Sequence, residues 1–421
     1  IPSPVSSRLR FLRMVAAVTA IPGGEMSGPL ADLKVLDLSR FVAGPFCAMM
    51  LGDMGAQVVK IEKPKTGEDI RAVAPLIDGD SLFVITYNRN KRSLTLNLRS
   101  EKGRAILREL VNEADILVEN FRPGVMEAMG CDWETLSSIN PRLIMARISG
   151  YGQDGPHAQR PCFDAIAQAG SGIMELTGDP DGPPTLAGTT VVDHSTGLHT
   201  VVGILAAVQG RHQSGRGQLV DVALLDSALS LLMTAIPEQA VFGEAATRMG
   251  NRDRYGAPSN SFLAADGKYV HIVAGGNPRF GRLCRAIGRE DLMENPAYAD
   301  NAGRRKNIEA LEAVVSEWVA ARGTDEIVAV MEAASVPCGP VNTIADVLAN
   351  PQLRHRGQII DVEHAHGEKV PLQGFVAKFS ETPSALYQPV PSPGQHNVEI
   401  LSEWLGYDES RIRDLVTADI L

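Results

Sequence analysis

The sequence has few cysteines, and they form no recognisable pattern. Five cysteines are scattered over 421 residues without a Cys-x-x-Cys pair. A disulfide framework needs paired cysteines and a structural zinc site needs closely spaced ligands, so neither organises this chain. This usage is typical of a reducing compartment. We therefore expect a cytoplasmic protein, or one of an organelle matrix if residues 1–25 are a transit peptide.

The sequence also lacks an excess of positive charge and any long apolar run. Its formal net charge is −10 at pH 7, whereas nucleic-acid binders present a positive field to phosphates. No apolar run reaches the roughly 18 residues of a membrane span. We therefore expect neither a nucleic acid nor a membrane as partner. The hydrophobic content of 44% is that of an ordinary soluble chain, long enough for two domains.

What is present is a regular alternation of strand-like and helix-like segments. Strand-like runs at 33–39, 88–98 and 115–121 are each followed by a helical pattern, and a further strand-like run lies at 56–64. This alternation predicts an α/β fold with a mostly parallel sheet. Glu62 ends the second strand, where dinucleotide-binding folds keep a ribose-binding acid, but the preceding loop SRFVAGP lacks Gly-x-Gly-x-x-Gly. We therefore expect a nucleotide-like ligand other than NAD or FAD.

Basic residues follow three of the predicted strands. Lys63, Arg99 and Arg122 would suit phosphate groups if they converged at one edge of the sheet. The alternative is that they are solvated surface charges, as most lysines and arginines are.

The segment 191–229 presents a carboxylate next to a predicted helix. Asp193 precedes Ser195-Thr196-Gly197, which we interpret as the helix start. Apolar residues then recur with helical spacing and predict one apolar face: Leu198, Val201, Val202, Leu205 and Val208. Asp193 is either a functional carboxylate at a strand-to-helix junction or an N-cap, and spacing alone favours the cap.

Six segments in a fixed order carry a resemblance to a known family. They are LDLSRFVAGPFCAMMLGDMGAQVVKIEKP, NRNKRSLTLNL, ADILVENFRPGVMEAMG, PRLIMARISGYGQDGP, FDAIAQAGSG and DHSTGLH. In this order they resemble the class III CoA-transferases, from about residue 30 to the C-terminus. The resemblance implies an enzyme that moves CoA from an acyl-CoA donor to a carboxylic acid. The CoA thioester is then a substrate, and no permanently bound cofactor or metal is expected.

The resemblance also assigns roles to residues. It implies that Asp193 is the nucleophile, forming an aspartyl mixed anhydride and then an aspartyl-CoA thioester. It implies CoA contacts at Lys63, Leu96, Asn97, Arg99, Asn120, Phe121, Arg122 and Met129. Glycine-containing segments around Gly256 and Gly275 are candidates for stabilising the oxyanions.

The family fold implied is a large Rossmann-like domain built from both chain ends, a smaller α+β domain, and an interlocked homodimer. The predicted divisions are a disordered extension, the first part of the large CoA-binding domain, a linker helix, the small domain, and a return to the large domain with a C-terminal strap. These are residues 1–25, 26–230, 231–254, 255–335 and 336–421.

Two departures from formyl-CoA enzymes bear on the acid. Val42 stands where those enzymes have Gln, and only Gly256 remains of their glycine run. We therefore expect an acid larger than formate or oxalate, of the dicarboxylate type. A second carboxylate would need a cation, and the candidates are Arg160, Arg254 and Arg279.

Two alternative functions remain. The related 2-methylacyl-CoA racemases deprotonate an α-carbon with a histidine that directly precedes an aspartate. Here Cys162-Phe163-Asp164 occupies that stretch, so the histidine base is absent, which favours the transferase. The other alternative is a non-catalytic CoA- or nucleotide-binding protein, which would require Asp193 to be only a cap.

Overall fold

The structure of the protein is a computed structural model that describes residues 28–243, 246–363 and 369–421. The predicted extension 1–25 lies outside the described residues. The strands are β1 (Lys34–Asp37), β2 (Gln57–Glu62), β3 (Leu76–Ile77), β4 (Asp80–Ser81), β5 (Lys91–Thr95), β6 (Ile116–Glu119), β7 (Ile144–Ser149), β8 (Leu219–Ala223), β9 (Ser259–Leu263), β10 (Tyr269–Val273), β11 (Cys338–Pro340), β12 (Ile359–Glu363) and β13 (Lys369–Gln373).

Helices connect most of these strands. They are α1 (Ala43–Asp53), α2 (Leu82–Tyr87), α3 (Glu101–Glu113), α4 (Val125–Ala128), α5 (Trp133–Ile139), α6 (Asp164–Ser171), α7 (Ile173–Leu176), α8 (Val191–Ser214), α9 (Leu224–Leu229), α10 (Ala235–Phe242), α11 (Asn277–Ala286), α12 (Asp291–Glu294), α13 (Asn301–Lys306), α14 (Ile308–Ala320), α15 (Thr324–Ala333), α16 (Ile344–Ala349), α17 (Pro351–His355), α18 (Asn397–Leu405) and α19 (Glu409–Thr417). Short 3₁₀ turns lie at Asp69–Ala72 and Pro296–Tyr298.

The chain forms two compact units. The first contains residues 28–171, 188–233 and 350–421, and the second contains residues 172–187 and 234–349, apart from the positions not described. The first unit is built on a six-stranded sheet in the order β5-β2-β1-β6-β7-β8. All its neighbours pair in parallel, which confirms the predicted α/β fold with a parallel sheet.

The order of the strands defines a switch point. From β1 the chain adds β2 and β5 on one side and β6, β7 and β8 on the other. Loops that leave β1 and β6 therefore diverge and leave a crevice at the carboxyl ends of these strands, where α/β sheets bind ligands.

Apolar residues of the sheet are covered by helices from both ends of the chain. Leu36, Val59 and Leu117 share one buried cluster with Leu107 of α3 and Trp404 of α18. Helices α1 and α8 pack against each other and against the sheet strands. Gly197 permits the close approach of these two helices, because a Cβ there would lie 2.7 Å from the Phe46 ring.

Helix α8 differs from its prediction. It begins at Val191, so Asp193 lies in its first turn and not at a strand-to-helix junction. Of the predicted apolar face, Val201 is buried, but Leu198 and Val202 are exposed, so the prediction was wrong at those two positions. By length and composition α8 is also the one described helix that could cross a membrane, although half of its apolar window is buried in the structure.

The second unit contains an antiparallel sheet in the order β11-β10-β9 with helices α11 to α15. Strand β11 pairs with β10, so residues 336–349 belong to this unit and not to the large domain as predicted. Residues 172–187 and most of the predicted linker 231–254 also belong to it.

The predicted C-terminal strap is more than an extended surface segment. Leu386, Tyr387 and Val390 are buried, and Asn90 accepts hydrogen bonds from the backbone of Tyr387 and Gln388 at 2.7 and 3.0 Å. Asn90 can do this because it adopts a left-handed conformation directly before β5.

Candidate active site

Asp193 lies in the first turn of α8, where the backbone of the helix contacts an acid from another segment. The N-cap position is Thr190, whose side chain makes no capping bond. Asp164 Oδ1 instead accepts hydrogen bonds from the backbone N–H groups of Val192 and Asp193, at 2.8 and 3.0 Å. Asp164 therefore satisfies the free donors of the helix start. The capping interpretation of Asp193 was wrong, because another residue does this work.

The surroundings of Asp193 disfavour its charge. Burial raises the pKa of Asp193 to about 7, and the neighbouring Asp164 carboxylate adds to this shift. A carboxylate in such surroundings is poorly solvated when ionised and exchanges its proton near neutral pH. These are the properties of a reactive acid more than of a solvated surface group.

Asp164 is itself held in place. It begins α6, is 6% exposed, and its Oδ2 accepts a hydrogen bond from Gln168 Nε2 at 2.6 Å. The sequence analysis gave Asp164 and Gln168 a structural role in hydrogen bonding. The geometry adds that Asp164 fixes both the position and the electrostatics of Asp193.

His194 is fixed by two neighbours. Its Nδ1 lies 2.8 Å from the Thr190 carbonyl oxygen, which only accepts, so Nδ1 carries the proton. Its Nε2, 3.1 Å from the Tyr87 hydroxyl, then accepts from Tyr87. Burial raises the pKa of Tyr87 to about 12, with the Asp193 charge adding to it. Tyr87 and His194 thus form a hydrogen-bonded pair beside Asp193.

Other candidate groups nearby are unsuited to nucleophilic or metal chemistry. Burial raises the pKa of the Cys162 thiol, and Asp193 and Asp164 raise it further. His199 Nδ1 lies 2.9 Å from the Ser195 carbonyl oxygen. Within the described part of the chain, no group of three or more His, Cys, Asp and Glu side chains could hold a metal ion.

The residues expected to contact CoA follow the carboxyl ends of β2, β5 and β6. Lys63 comes directly after β2 and pairs with Asp69. Leu96 is buried in the apolar core, so only its backbone can face a ligand. Asn97 Nδ2 donates to the carbonyl oxygen of Asp419 at 3.3 Å, and Arg99 is exposed.

The loop after β6 joins the loop after β1. Asn120 accepts from the backbone N–H of Arg40 and donates to its carbonyl oxygen, both at 2.7 Å. The ring of Phe121 lies 5.2 Å from the Arg40 guanidinium carbon. Arg122 is exposed, and Met129 is partly buried against the core. Asn120 and Phe121 therefore both contact Arg40 at the switch point.

Sequence reasoning missed Arg40 and Asp69. Arg40 follows β1, and its guanidinium forms an ion pair with Asp69 at 3.1 Å. Asp69 also forms an ion pair with Lys63, so the segments that follow β1 and β2 are linked through one acid. The signal for Arg40 was available, because it is the first basic residue after the strand at the switch point. Nothing in the local pattern indicated Asp69.

In the second unit, the predicted glycine segments meet each other. A Cβ on Gly275 would lie 2.6 Å from Gly256 Cα, so this approach requires glycine. The Gly256 N–H already donates to Asp253 Oδ1 at 2.6 Å and is therefore engaged. The predicted oxyanion role of Gly256 would require this bond to open.

The three candidate arginines for the acid differ in setting. Arg160 and Arg279 are exposed. Arg254 lines a cavity of about 600 Å³ in the second unit, together with Arg248, Arg252, Arg305 and Glu238. Arg254 is therefore the best placed of the three to bind an anion within a concave surface.

The fold and this site define a class of protein, and comparison with known proteins names it. The model of CoA-transferase family III matches residues 30–397. The succinyl-CoA–L-malate CoA-transferase beta subunit of Chloroflexus aurantiacus is 37% identical over 391 residues, covering 92% of this chain and 96% of the relative. The acetyl-CoA:oxalate CoA-transferase of Acetobacter aceti is 41% identical over 334 residues, covering 79% and 86%.

Solved structures agree. A CAIB/BAIF family protein from Brucella suis superimposes with a TM-score of 0.80 at 36% identity, covering 90% of this chain and all of that chain. The chain belongs to CoA-transferase family III and is an enzyme of that family. The resemblance identified from the six ordered segments is confirmed.

Proposed function

We propose that this enzyme transfers CoA from an acyl-CoA donor, such as succinyl-CoA, to a dicarboxylic acid, with Asp193 as nucleophile. The observation that carries the proposal is the setting of Asp193. It lies at the start of α8 beside a fixed second carboxylate, and burial raises its pKa to about 7. A carboxylate suits the reaction, because its mixed anhydride stays activated and the acyl bond energy is conserved.

The steps follow from this chemistry. An Asp193 oxygen attacks the donor thioester carbonyl, the C–S bond breaks, and CoA leaves as a thiolate. The thiolate attacks the aspartyl carbonyl of the anhydride, giving an aspartyl-CoA thioester and the free donor acid. The acceptor carboxylate attacks that thioester and releases the thiolate again. The thiolate then attacks the acceptor carbonyl, which yields the new acyl-CoA and the Asp193 carboxylate.

The surroundings of Asp193 support these steps physically. Poor solvation keeps the ionised carboxylate reactive and protects the anhydride from hydrolysis. The Tyr87 hydroxyl and both ring nitrogens of His194 are engaged in hydrogen bonds, with each other and with Thr190.

The relatives and the arginines support a dicarboxylic acceptor. The names of the two relatives give L-malate and oxalate, both of which are dicarboxylic acids. In the second unit, Arg254 lines an arginine-rich cavity suited to bind an anion, with Glu238 4.0 Å from its guanidinium. Val42 led us to expect an acid larger than oxalate, but one relative is named for oxalate. Oxalate is therefore included among the acids to test.

We also propose a homodimer. Within the first unit, Val202 of α8 is 65% exposed and Met233 is 78% exposed. Within the second unit, Val241 and Phe242 are each 70% exposed. Exposed apolar residues of this size favour burial against a partner. Light scattering should give a mass about twice 45.1 kDa, whereas a monomer or a requirement for a different subunit would contradict the proposal.

The test of the transfer mechanism is a covalent intermediate. Protein incubated with succinyl-CoA and no acceptor should gain CoA on the peptide that contains Asp193, detected by mass spectrometry. Borohydride should reduce this thioester, and hydroxylamine should trap it. L-malate, oxalate, glutarate and succinate should then be compared as acids that discharge the adduct, with formate as the monocarboxylate control.

Two variants make the test specific. Asp193→Ala should bind CoA but form no adduct, while Asp164→Asn retains the nucleophile and should still form one. If wild-type protein binds CoA but forms no adduct with any of several acyl-CoAs, including succinyl-CoA and acetyl-CoA, the transferase mechanism is wrong. Exchange of the α-proton of 2-methylacyl-CoA with solvent deuterium would then favour the racemase alternative, and its absence the binding protein.

A further inference from the structure

Two cations at the switch point share one acid. Asp69 forms ion pairs with both Lys63, which follows β2, and Arg40, which follows β1. All three side chains are well exposed, between 39% and 51%. Lys63 is the larger cause, and Arg40 a further one, of a pKa for Asp69 below its ordinary value. A carboxylate therefore lies where two basic side chains from adjacent strand ends converge.

Arg40 is positioned more firmly than its exposure suggests. Asn120 holds its backbone from both sides with bonds of 2.7 Å. The guanidinium lies over the rings of Phe121 and Phe41, with centroids 5.2 and 5.9 Å away. Its Nε is shielded from solvent and has no hydrogen-bond partner among the described residues. A guanidinium held in one orientation is suited to an oxyanion with several oxygens.

We propose that Arg40 and Lys63 form a phosphate-binding pair, and that Asp69 is an internal counter-ion which a phosphate group of the ligand replaces. The identification of that ligand as CoA rests on the proposed function. The geometry of the three side chains stands independently of it. In the free protein Asp69 pairs with both cations and offsets one of their two charges. When a phosphate binds, its oxygens take over the two cations and the Asp69 carboxylate turns towards water.

This exchange predicts an unusual sign. A charged acid beside a phosphate repels it, so removing the charge of Asp69 should strengthen binding. A residue that merely positions the cations would have the opposite effect when removed. Asp69→Asn is therefore expected to tighten CoA binding about fivefold at low salt. Arg40→Gln is expected to weaken it about tenfold.

The experiment measures binding by calorimetry, without turnover. Wild type, Asp69→Asn and Arg40→Gln are titrated with inorganic pyrophosphate, CoA, 3′-dephospho-CoA and pantetheine. Asp291→Asn is the matched control, because Asp291 also pairs with an arginine, at 2.8 Å, and is exposed. Lys63→Gln serves as a second cation variant, and thermal unfolding establishes that each variant folds.

The outcomes are distinct. A gain from Asp69→Asn that persists with 3′-dephospho-CoA supports the diphosphate as the replaced group. A gain lost with that ligand supports the 3′-phosphate. The proposal is overturned if Asp69→Asn weakens CoA binding, if Asp291→Asn or pantetheine shows the same gain, or if neither cation variant loses affinity. Pyrophosphate binding needs no acyl transfer, so a missing Asp193 adduct would leave this result intact.

Discussion

Asp37 and Asp193 are both shielded aspartates of the first unit, and their surroundings have opposite effects. Asp37 is fully buried at the end of β1, where Lys91 Nζ lies 2.8 Å and Lys60 Nζ 3.6 Å away. Burial alone would raise its pKa, but the two lysines lower it below the ordinary value. Asp193 has a second acid beside it, and its pKa rises to about 7.

The two aspartates show that the same side chain can have its charge stabilised at one place in the chain and destabilised at another. Asp37 is locked in its ionised form by cations and by a bond of 2.9 Å from the Ser39 N–H, so its charge holds the loop after β1. Asp193 has its charge destabilised by burial and by Asp164, and this setting is the basis on which we propose it as the nucleophile. Burial raises the pKa of both carboxylates, so the charges around them account for the opposite directions of the two shifts.

The largest effect should come from breaking the network around Asp37. Lys91→Met removes a buried ammonium that also donates to Asn88 Oδ1 and to the Pro45 carbonyl oxygen, each at 2.9 Å. The remaining buried acid loses its main partner, and we expect the free energy of unfolding to fall by about 3–5 kcal/mol. Urea unfolding measures this. Arg289→Gln, which breaks an exposed pair, is the control, and a loss as small as the control's would refute the distinction.

A smaller effect of opposite sign is expected at Asp193. Because folding raises its pKa, the folded protein holds a proton that the unfolded chain loses. Stability from this group is therefore present below the unfolded pKa and is lost as the pH rises through about 7. Asp193→Asn should be more stable than wild type, with an advantage that grows by about 2 kcal/mol between pH 5 and pH 8. Unfolding measured at both pH values tests this, and an advantage independent of pH would contradict it.

The smallest effect is expected from removing the charge of Asp164. Asp164→Asn retains an oxygen that can accept from the start of α8 but removes the charge. The pKa of Asp193 should fall, because burial, the larger cause, remains while the repulsion is lost. We expect the midpoint of the rate-against-pH profile to move down by about one unit. Asp164→Ala, which also removes the cap, should lose activity at every pH. An unmoved midpoint in the Asn variant would show that Asp164 acts only through hydrogen bonds.

The strands of the sheet were predictable, and the start of α8 was not. Runs such as 33–39 and 115–121 are apolar without interruption, which is typical of buried parallel strands. The start of α8 is set by Asp164, 28 residues before Val192 in the sequence, so no local pattern could place it. The ordered segments singled out Asp193, but only the fold shows what surrounds it.

The predicted CoA contacts illustrate the same limit. Lys63, Asn120 and Phe121 were identified from strand ends and family segments. The structure links Asn120 and Phe121 to Arg40, and Arg40 to Lys63 through Asp69. Asp69 was missed, because its role depends on two cations that arrive from different strands. Pairings across loops are set by tertiary contacts, and a single sequence carries no direct record of them.

The helices that cover the six-stranded sheet have a consequence for folding during translation. Leu36 and Leu117 are translated early, yet they share a buried cluster with Trp404 and Ile412 of α18 and α19. A ribosome therefore releases an open apolar sheet face long before the helices that shield it exist, while residues 234–349 emerge in between. During that interval the uncovered apolar face makes the nascent chain prone to aggregation.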